Sequence, residues 1–358
     1  MLRPIRQHPL PEIPPMTRVL AAMSGGVDSS VTALLLQRQG YEVVGVFMRN
    51  GVAGKSAAEK SCCSASDARD AALVAEKLGI PFYAVDYAQE FDALIDHFAA
   101  EYRRGRTPNP CVLCNQRLKF GRLFQLADSV GAGFVATGHY ARVESGRLLR
   151  AKDAQKDQTY YLFGIAAAAL PRVLFPLGEL TKAEVRELAR AAGLRTAAKP
   201  ESMEICFVTS GDYRDLVRER GGGGRAGTFV DAAGQVVGRH DGIDAFTVGQ
   251  RSGLPALGAP HYVQSIDATT GTVTLCQRDG LLASTALARG VRWLVPPPAG
   301  GLGAEVKIRA RSAAVPARLE LVGEDVRIEF ATAVAALTPG QAAVFYAGDV
   351  VLGGGWLD

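Results

Sequence analysis

An apolar run, a glycine turn and an amphipathic helix follow one another in Arg18–Gly40, RVLAAMSGGVDSSVTALLLQRQG. No other stretch restricts the fold so strongly. Val19–Met23 has the length of a buried strand. Ser24-Gly25-Gly26-Val27-Asp28-Ser29-Ser30 then turns the chain into a helix with Val31, Leu34 and Leu35 on one face and Gly40 as its stop. Two glycines between strand and helix let backbone amides close around an anion, and the helix N-terminus adds unpaired N–H groups and the positive end of a dipole. Ser24, Ser29 and Ser30 are expected to donate hydroxyls to the same anion. Asp28 fits such a cradle when a divalent cation bridges it to phosphates. The plainer reading is an ordinary strand–turn–helix capped by Asp or Ser.

The pattern repeats. Tyr41–Met48 reads as a second buried strand, Asp67–Leu78 as a helix stopped by Gly79, Ile80–Asp86 as a third strand, and Phe91–Arg104 as a helix with Leu94, Ile95 and Phe98 inward. Phe134–Thr137 reads as a further strand ending in Gly138-His139-Tyr140, and Thr181–Ala192 as a helix opened by a Thr181/Glu184 capping box. Alternating strands and helices imply an α/β domain with a doubly wound parallel sheet, whose ligand site lies beyond the strand C-terminal ends. Between these elements, Asn50–Ser61 is a polar loop and Arg142–Arg150 a hairpin around Ser145-Gly146. Thr107-Pro108-Asn109-Pro110 breaks regular structure, and a helix from Cys111 and Cys114 runs through Leu118, Leu123 and Leu126 to Val130.

After Val208 the character changes. Gly221–Gly224 is a glycine run, and short period-two stretches with glycine turns follow from Gly227 onward. Trp293–Leu302 marks a joint. The sequence thus divides into a tail (1–16), an α/β catalytic domain (17–210), a central β-rich domain (211–285) and a C-terminal antiparallel β-barrel (286–358). The tail lacks the apolar core of a signal peptide, and Met16 is an alternative start. No apolar run approaches the roughly 20 residues of a membrane helix, so a cytoplasmic protein without a membrane partner is expected. Six cysteines in 358 residues without a secretion signal point to metal or thiol chemistry rather than a disulfide framework. Cys62, Cys63 and Cys276 read as small buried hydrophobes.

The turn is not a Walker motif, because no Gly-Lys-Ser/Thr follows the glycines. SGGVDSS resembles instead the pyrophosphatase loop of enzymes that split ATP into AMP and pyrophosphate, which places Ala22, Met23, Ser24, Gly25, Gly26, Val27, Asp28 and Ser29 at the nucleotide. With TPNPCVLCN, ATGHYAR, KDQTYYLF, ESMEICFV, GQRSGL and TPGQAAVFY, in order along the chain, the sequence resembles the tRNA-specific 2-thiouridylase family, the tRNA-uridine 2-sulfurtransferases. The resemblance implies ATP- and Mg²⁺-dependent 2-thiolation of the wobble uridine, position 34, in tRNAs for Lys, Glu and Gln. The base oxygen would be activated by adenylation, and a cysteine persulfide would supply sulfur that a second cysteine releases by thiol–disulfide exchange. Its implied partners are the tRNA anticodon stem-loop and a sulfur donor such as a cysteine desulfurase or a sulfur-relay protein.

Carried over by motif, Cys206 is the persulfide carrier and Cys114 its partner, the latter gaining thiolate character from a helix start. Met48 and Gly138 are further nucleotide contacts. Asn109, Pro110 and Cys111 meet the target base; His139, Lys156, Asp157, Gln158, Arg309, Ala310 and Gln341 are other tRNA contacts. Alanine at 310 offers no ring for a base to stack on. The best-known members carry Asp at the position of Cys111, and a thiol substitutes poorly for a carboxylate in acid–base work. A second reading makes Cys111, Cys114 and Cys206 ligands of a 4Fe-4S cluster with one iron open to sulfide; a zinc site or three plain thiols are the alternatives.

The net charge of +4, from 40 basic and 36 acidic residues, does not by itself call for nucleic acid. Clustering does: Arg103, Arg104 and Arg106 precede the TPNP turn; Arg117, Lys119 and Arg122 follow it; Arg142, Arg147, Arg150, Lys152 and Lys156 form a third group. Lys307, Arg309 and Arg311 alternate as if on one strand face. The sequence admits two rivals. Another ATP pyrophosphatase, such as an amidotransferase-type ligase or a tRNA lysidine synthetase, would not need the cysteines. A non-catalytic RNA- or metal-binding module would not need the SGGVDSS loop.

Overall fold

The structure is a computed structural model that describes residues 17–51, 65–201, 205–208, 212–297 and 300–358. The tail with Met16, Cys62, Cys63 and most of the Asn50–Ser61 loop lie outside the described residues. The chain divides into two compact units: the described residues up to Glu90 with Asn115–Cys206, and Phe91–Cys114 with Phe207–Asp358.

In chain order the first part comprises β1 (Arg18–Ala22), α1 (Val27–Arg38), β2 (Glu42–Arg49), α2 (Ala65–Leu78), β3 (Phe82–Asp86), α3 (Ala88–Arg103) and α4 (Pro110–Leu113). A π-helical stretch, Cys114–Arg122, joins α4 to α5 (Leu123–Ser129). Then come β4 (Phe134–Ala136), the hairpin β5 (Arg142–Glu144) and β6 (Arg147–Leu149), β7 (Val173–Leu174), α6 (Lys182–Ala191) and α7 (Tyr213–Glu219).

The first unit is built on a parallel sheet of order β3-β2-β1-β4-β7. Val19, Ala21, Phe47 and Ala136 on its strands pack with Val31, Leu34 and Leu36 of α1, Val74 of α2 and Val185 of α6. Each fully buried Val, Leu or Phe side chain contributes roughly 1.5–3 kcal/mol. The sequence assigns α1 a single apolar face, yet Leu36 is as buried as Val31; both sides of the helix are covered, so no polar face is required. Edge strand β3 is largely exposed. The capping box at Thr181 is present, with the hydroxyl accepting from Glu184 N and the Glu184 carboxylate from Thr181 N.

The second unit contains most of α3. Phe98 and Tyr102 of α3 pack on Tyr213 of α7, with Tyr102 and Tyr213 stacked at 4.4 Å and Phe98 edge-on to Phe207 at 5.3 Å. Arg220 also ties Asp92 and Asp96 of α3 to the end of α7.

A mixed sheet of β8 (Gly227–Val230), β9 (Val236–His240), β10 (Tyr262–Asp267) and β11 (Thr272–Cys276) follows in the order β10-β11-β8-β9, with β11 and β8 parallel. The barrel comprises β12 (Leu282–Trp293), β13 (Leu302–Lys307), β14 (Val315–Val322), β15 (Asp325–Ala335), β16 (Ala342–Ala347) and β17 (Val350–Leu357). It runs β12-β15-β14-β13-β16-β17 and closes by the antiparallel β12–β17 pair. Closure removes the open edges a six-stranded sheet would expose. It needs Gly353: a Cβ there would lie 2.2 Å from the Arg292 carbonyl oxygen across the seam.

Candidate active site

In the first unit, Ser24–Ser30 lies where β1 hands over to α1, at the C-terminal edge of the parallel sheet. The N-cap of α1 is Gly26, which brings no side chain to its own orphan amides, so these are left for an external acceptor. Gly138, just past β4, presses on them: a Cβ there would come 2.9 Å from Ser29 N and 3.0 Å from Asp28 C. Ser24 is exposed and its Oγ lies 3.2 Å from that of Ser29. Ser30 corrects the sequence reading. Its hydroxyl is buried and donates to Gly26 O at 2.8 Å, so it secures the turn from inside rather than facing an anion. Ala22, Met23 and Met48 line the same strand ends; Met23 and Met48 are both buried.

The Asp28 carboxylate has protein partners. Lys182 Nζ donates to both its oxygens at 2.7 and 2.8 Å, and Tyr140 Oη donates at 3.0 Å. Burial first, then the Asp28 charge, pushes the Tyr140 phenol far above its ordinary range, so it stays a donor. A carboxylate offers about four lone-pair sites, so Asp28 retains room for one further contact. Lys182 also pairs with Glu201 at 2.9 Å, and Glu201 in turn takes Lys156 at 2.7 Å. Desolvation would raise the Glu201 carboxyl; hydrogen bonds from Lys156 and Lys182 outweigh it and hold it down at about 2. The first unit thus carries a chain Tyr140–Asp28–Lys182–Glu201–Lys156. Sequence reasoning missed Lys182 and Glu201. One signal was present: a lysine at the first position of a helix opposes the helix dipole, so its position answers to another partner.

Other expected tRNA contacts of this unit are engaged internally. Asp157 accepts from Ala151 N and Thr159 Oγ1. Gln158 Oε1 accepts from Tyr140 N at 2.9 Å. His139 is buried against Phe120 and Phe175. Its Nε2 faces Lys119 Nζ at 3.5 Å and its Nδ1 faces Thr137 Oγ1 at 2.7 Å. An ammonium only donates, so Nε2 accepts and Nδ1–H donates to Thr137. Burial, with the Lys119 charge second, holds the imidazole well below its ordinary pKa and neutral. Cys206, half-buried, ends this unit.

In the second unit, the TPNP segment is stapled to the barrel. Thr107 N donates to Pro339 O at 2.8 Å, Gln341 Nε2 donates to Thr107 O at 2.9 Å, and Arg106 reaches Leu357 O and Asp358. Asn109 and Pro110 are buried and Cys111 is exposed. Pro110 sits at the first helical position, where a missing N–H costs nothing. The helix therefore starts earlier than the cysteines suggested. Cys111 occupies its first turn, and half-buried Cys114 comes one turn on, at the start of the π-helical stretch. π-Helical geometry is frequent at functional sites.

A cavity of about 310 Å³ is lined by Thr107, Thr247, Gly249, Gln250, Arg309 and Gln341, among others. Arg309 is not on a strand face as its spacing with Lys307 and Arg311 suggested: β13 ends at Lys307, and Arg309 to Arg311 form the following turn. Arg309 Nη2 donates to Ala336 O and to Thr338 Oγ1. Gln250, of the GQRSGL motif, braces its own loop through Thr247 N, Ala245 O and Ser252 O.

The loop and its uncapped helix start suit the phosphates of ATP, and Asp28 suits a hydrated Mg²⁺. Among the described residues, no group of three or more His, Cys, Asp or Glu stands in a metal-holding arrangement. The cluster reading of Cys111, Cys114 and Cys206 finds no support among the described residues. No described helix is long and apolar enough to cross a membrane.

Residues 17–210 match a family described as "tRNA methyl transferase HUP domain", 215–277 a "tRNA methyl transferase PRC-barrel domain" and 283–357 an "Aminomethyltransferase beta-barrel domain". Curated relatives are named differently. The chain is 49% identical to "tRNA-specific 2-thiouridylase MnmA" of Geobacter metallireducens, over 95% of this chain and 96% of that one. It is 47% identical to the protein of the same name from Geotalea uraniireducens (95% of each) and 46% to that from Thermus thermophilus (95% and 94%). Among solved structures, a 4-thiouridine synthetase–RNA complex with bound ATP is similar at a TM-score of 0.38 and 15% identity, covering 57% of this chain and 50% of that one. With relatives of this identity aligned over nearly its whole length, the chain belongs to the tRNA-specific 2-thiouridylase family of sulfurtransferases.

Proposed function

We propose that this chain uses ATP to replace the C2 oxygen of the wobble uridine, position 34, by sulfur in tRNAs for Lys, Glu and Gln. The observation that carries the reading is the SGGVDSS loop, with its uncapped α1 N-terminus and Gly138 pressed against it. Backbone amides there hold the pyrophosphate end of ATP. Mg²⁺, when bound, offsets the negative charge of the departing pyrophosphate, and Asp28 is the residue that would hold it. The uridine O2 attacks the α-phosphorus; the bond to the β-phosphate oxygen breaks and pyrophosphate leaves, giving an O2-adenylate.

Sulfur arrives as a persulfide on Cys206, loaded by a cysteine desulfurase or a sulfur-relay protein. The Cys114 thiolate attacks Cys206 Sγ, the S–S bond of the persulfide breaks, and hydrosulfide leaves. A Cys114–Cys206 disulfide remains, which an external thiol reduces. Hydrosulfide adds at C2, AMP departs, and 2-thiouridine results. The reading requires the two sulfurs to meet at the activated base. The cavity at Arg309 and Gln341 has room for an unpaired nucleotide of the anticodon loop. Cys111 stands beside the base without a carboxylate's acid–base capacity.

Purified chain with tRNA, ATP, Mg²⁺ and a persulfide donor is expected to form AMP, pyrophosphate and 2-thiouridine in equal amounts. Mass spectrometry of tRNA nucleosides from cells lacking the chain should show loss of 2-thiouridine derivatives. Unchanged 2-thiouridine in those cells would sink the proposal, and amine incorporation in place of sulfur would move the enzyme to the ligase class.

A further inference from the structure

Lys199 reaches the pyrophosphate loop from far along the chain. Its Nζ donates to Gly25 O at 3.0 Å, Asp67 Oδ1 at 2.5 Å and Asp70 Oδ2 at 2.6 Å. An ammonium has three protons, so all are engaged. The two carboxylates are set in turn: Asp67 is buried in the first turn of α2, and Arg195 pairs with Asp70 at 3.0 Å. Gly25, at φ +75°, lies against this block so closely that a Cβ would come 2.2 Å from Asp67 O.

The consequence lies in the next peptide. In a trans peptide the carbonyl and the following N–H point in opposite directions. With Gly25 O turned onto Lys199, the Gly26 N–H is turned away from it, and that N–H has no partner among the described residues. The peptide one step on is locked by the helix: Gly26 O accepts from Ser30 N, Ser29 Oγ and Ser30 Oγ. Between two glycines, rotation of the Gly25–Gly26 peptide meets little steric resistance. A flip would put a carbonyl oxygen where the amide had been, and that oxygen repels phosphate.

We propose that Lys199 is a positioning residue of the pyrophosphate loop, holding the Gly25–Gly26 peptide with its N–H toward the nucleotide phosphates. The inference rests on the reading of this loop as an ATP site. Lys199 touches no reacting atom; it acts through the backbone, and its effect falls on the phosphate end of the nucleotide alone.

Calorimetric titration of the full-length chain with Mg-pyrophosphate and separately with AMP tests this. Lys199→Met is expected to weaken pyrophosphate about tenfold and leave AMP within about twofold, with Lys199→Arg recovering most of the loss. Should Lys199→Met fail to fold, because Asp67 is left without its counter-charge, the double variant Asp67→Asn/Lys199→Met removes both charges together. Unchanged pyrophosphate affinity in a folded Met variant overturns the proposal. So does an equal loss of AMP, and so does failure of every variant to fold, which marks a purely structural tie. A wild-type chain that binds neither ATP nor pyrophosphate is a different failure: it removes the loop reading, and the inference with it.

Discussion

Two sites, one in each unit, hold their cations in opposite ways. In the first, Lys156, Lys182 and Lys199 each end on carboxylates, with distances of 2.5–2.9 Å, and their side chains are mostly withdrawn from solvent. At the second unit's cavity, Arg309 donates to the neutral oxygens of Ala336 and Thr338. Charge matched within the protein builds a rigid frame, whereas carbonyl and hydroxyl oxygens orient a guanidinium by direction alone. The first set fixes a chain of paired charges beside the glycine loop; the second orients one guanidinium at the cavity wall.

The largest expected effect lies outside either charge set. Cys114→Ala and Cys206→Ala should each reduce 2-thiouridine formation below detection, as read by nucleoside mass spectrometry, while ATP still binds. Thiolation that persists in either variant breaks the reading at its centre. Next in size, Lys182→Met strips the shared cation from Asp28 and Glu201. A loss of about 1–3 kcal/mol in stability is expected from chemical denaturation, together with a fall in pyrophosphate release; an unchanged midpoint would show the first unit's ion pairs to be as dispensable as surface ones.

Glu201 sharpens the contrast through pH. Its folded pKa, about 2, lies below its ordinary 4.5. Its contribution is therefore present above about pH 4.5 and is lost as pH falls toward 2. Glu201→Gln should flatten the acid limb of a stability–pH curve in that window and leave the neutral range shifted by a constant. An acid limb of unchanged slope would count against the pairing.

On the other unit, Arg309→Met should weaken tRNA binding about three- to tenfold and lower the slope of log affinity against log salt by about one, with the KM for ATP unmoved. A changed KM for ATP would show that Arg309 acts on the nucleotide as well. Smallest of all, Arg327→Ala removes a barrel ion pair with Glu320 in which both side chains are 60% exposed. Its effect on thermal unfolding should stay within about 0.5 kcal/mol.

Much of the local chemistry was legible in the residues. The strand–loop–helix at Arg18–Gly40, the parallel order of strands and the Thr181 capping box depend on neighbours within a few positions, and they form where the spacing places them. The family motifs pointed to the glycine loop and to Gly138 before any packing was visible. What the pattern missed has a common cause. Ser30 turned inward because Gly26 O needed a donor, and Arg309 left its strand because β13 ends at Lys307.

Periodicity and motif order are properties of short segments, so the sequence alone determined the α/β character of the first domain, the β character of the rest, and where the phosphate loop begins. Partnership is a property of the folded chain. Lys182 with Asp28, Lys199 with Gly25 and Thr107 with Gln341 join residues more than a hundred positions apart. Their charges and amides have many candidate partners along an extended chain. Only the packing of helices on the sheet, and of the TPNP segment on the barrel, leaves each of them one geometry in which the buried group is satisfied.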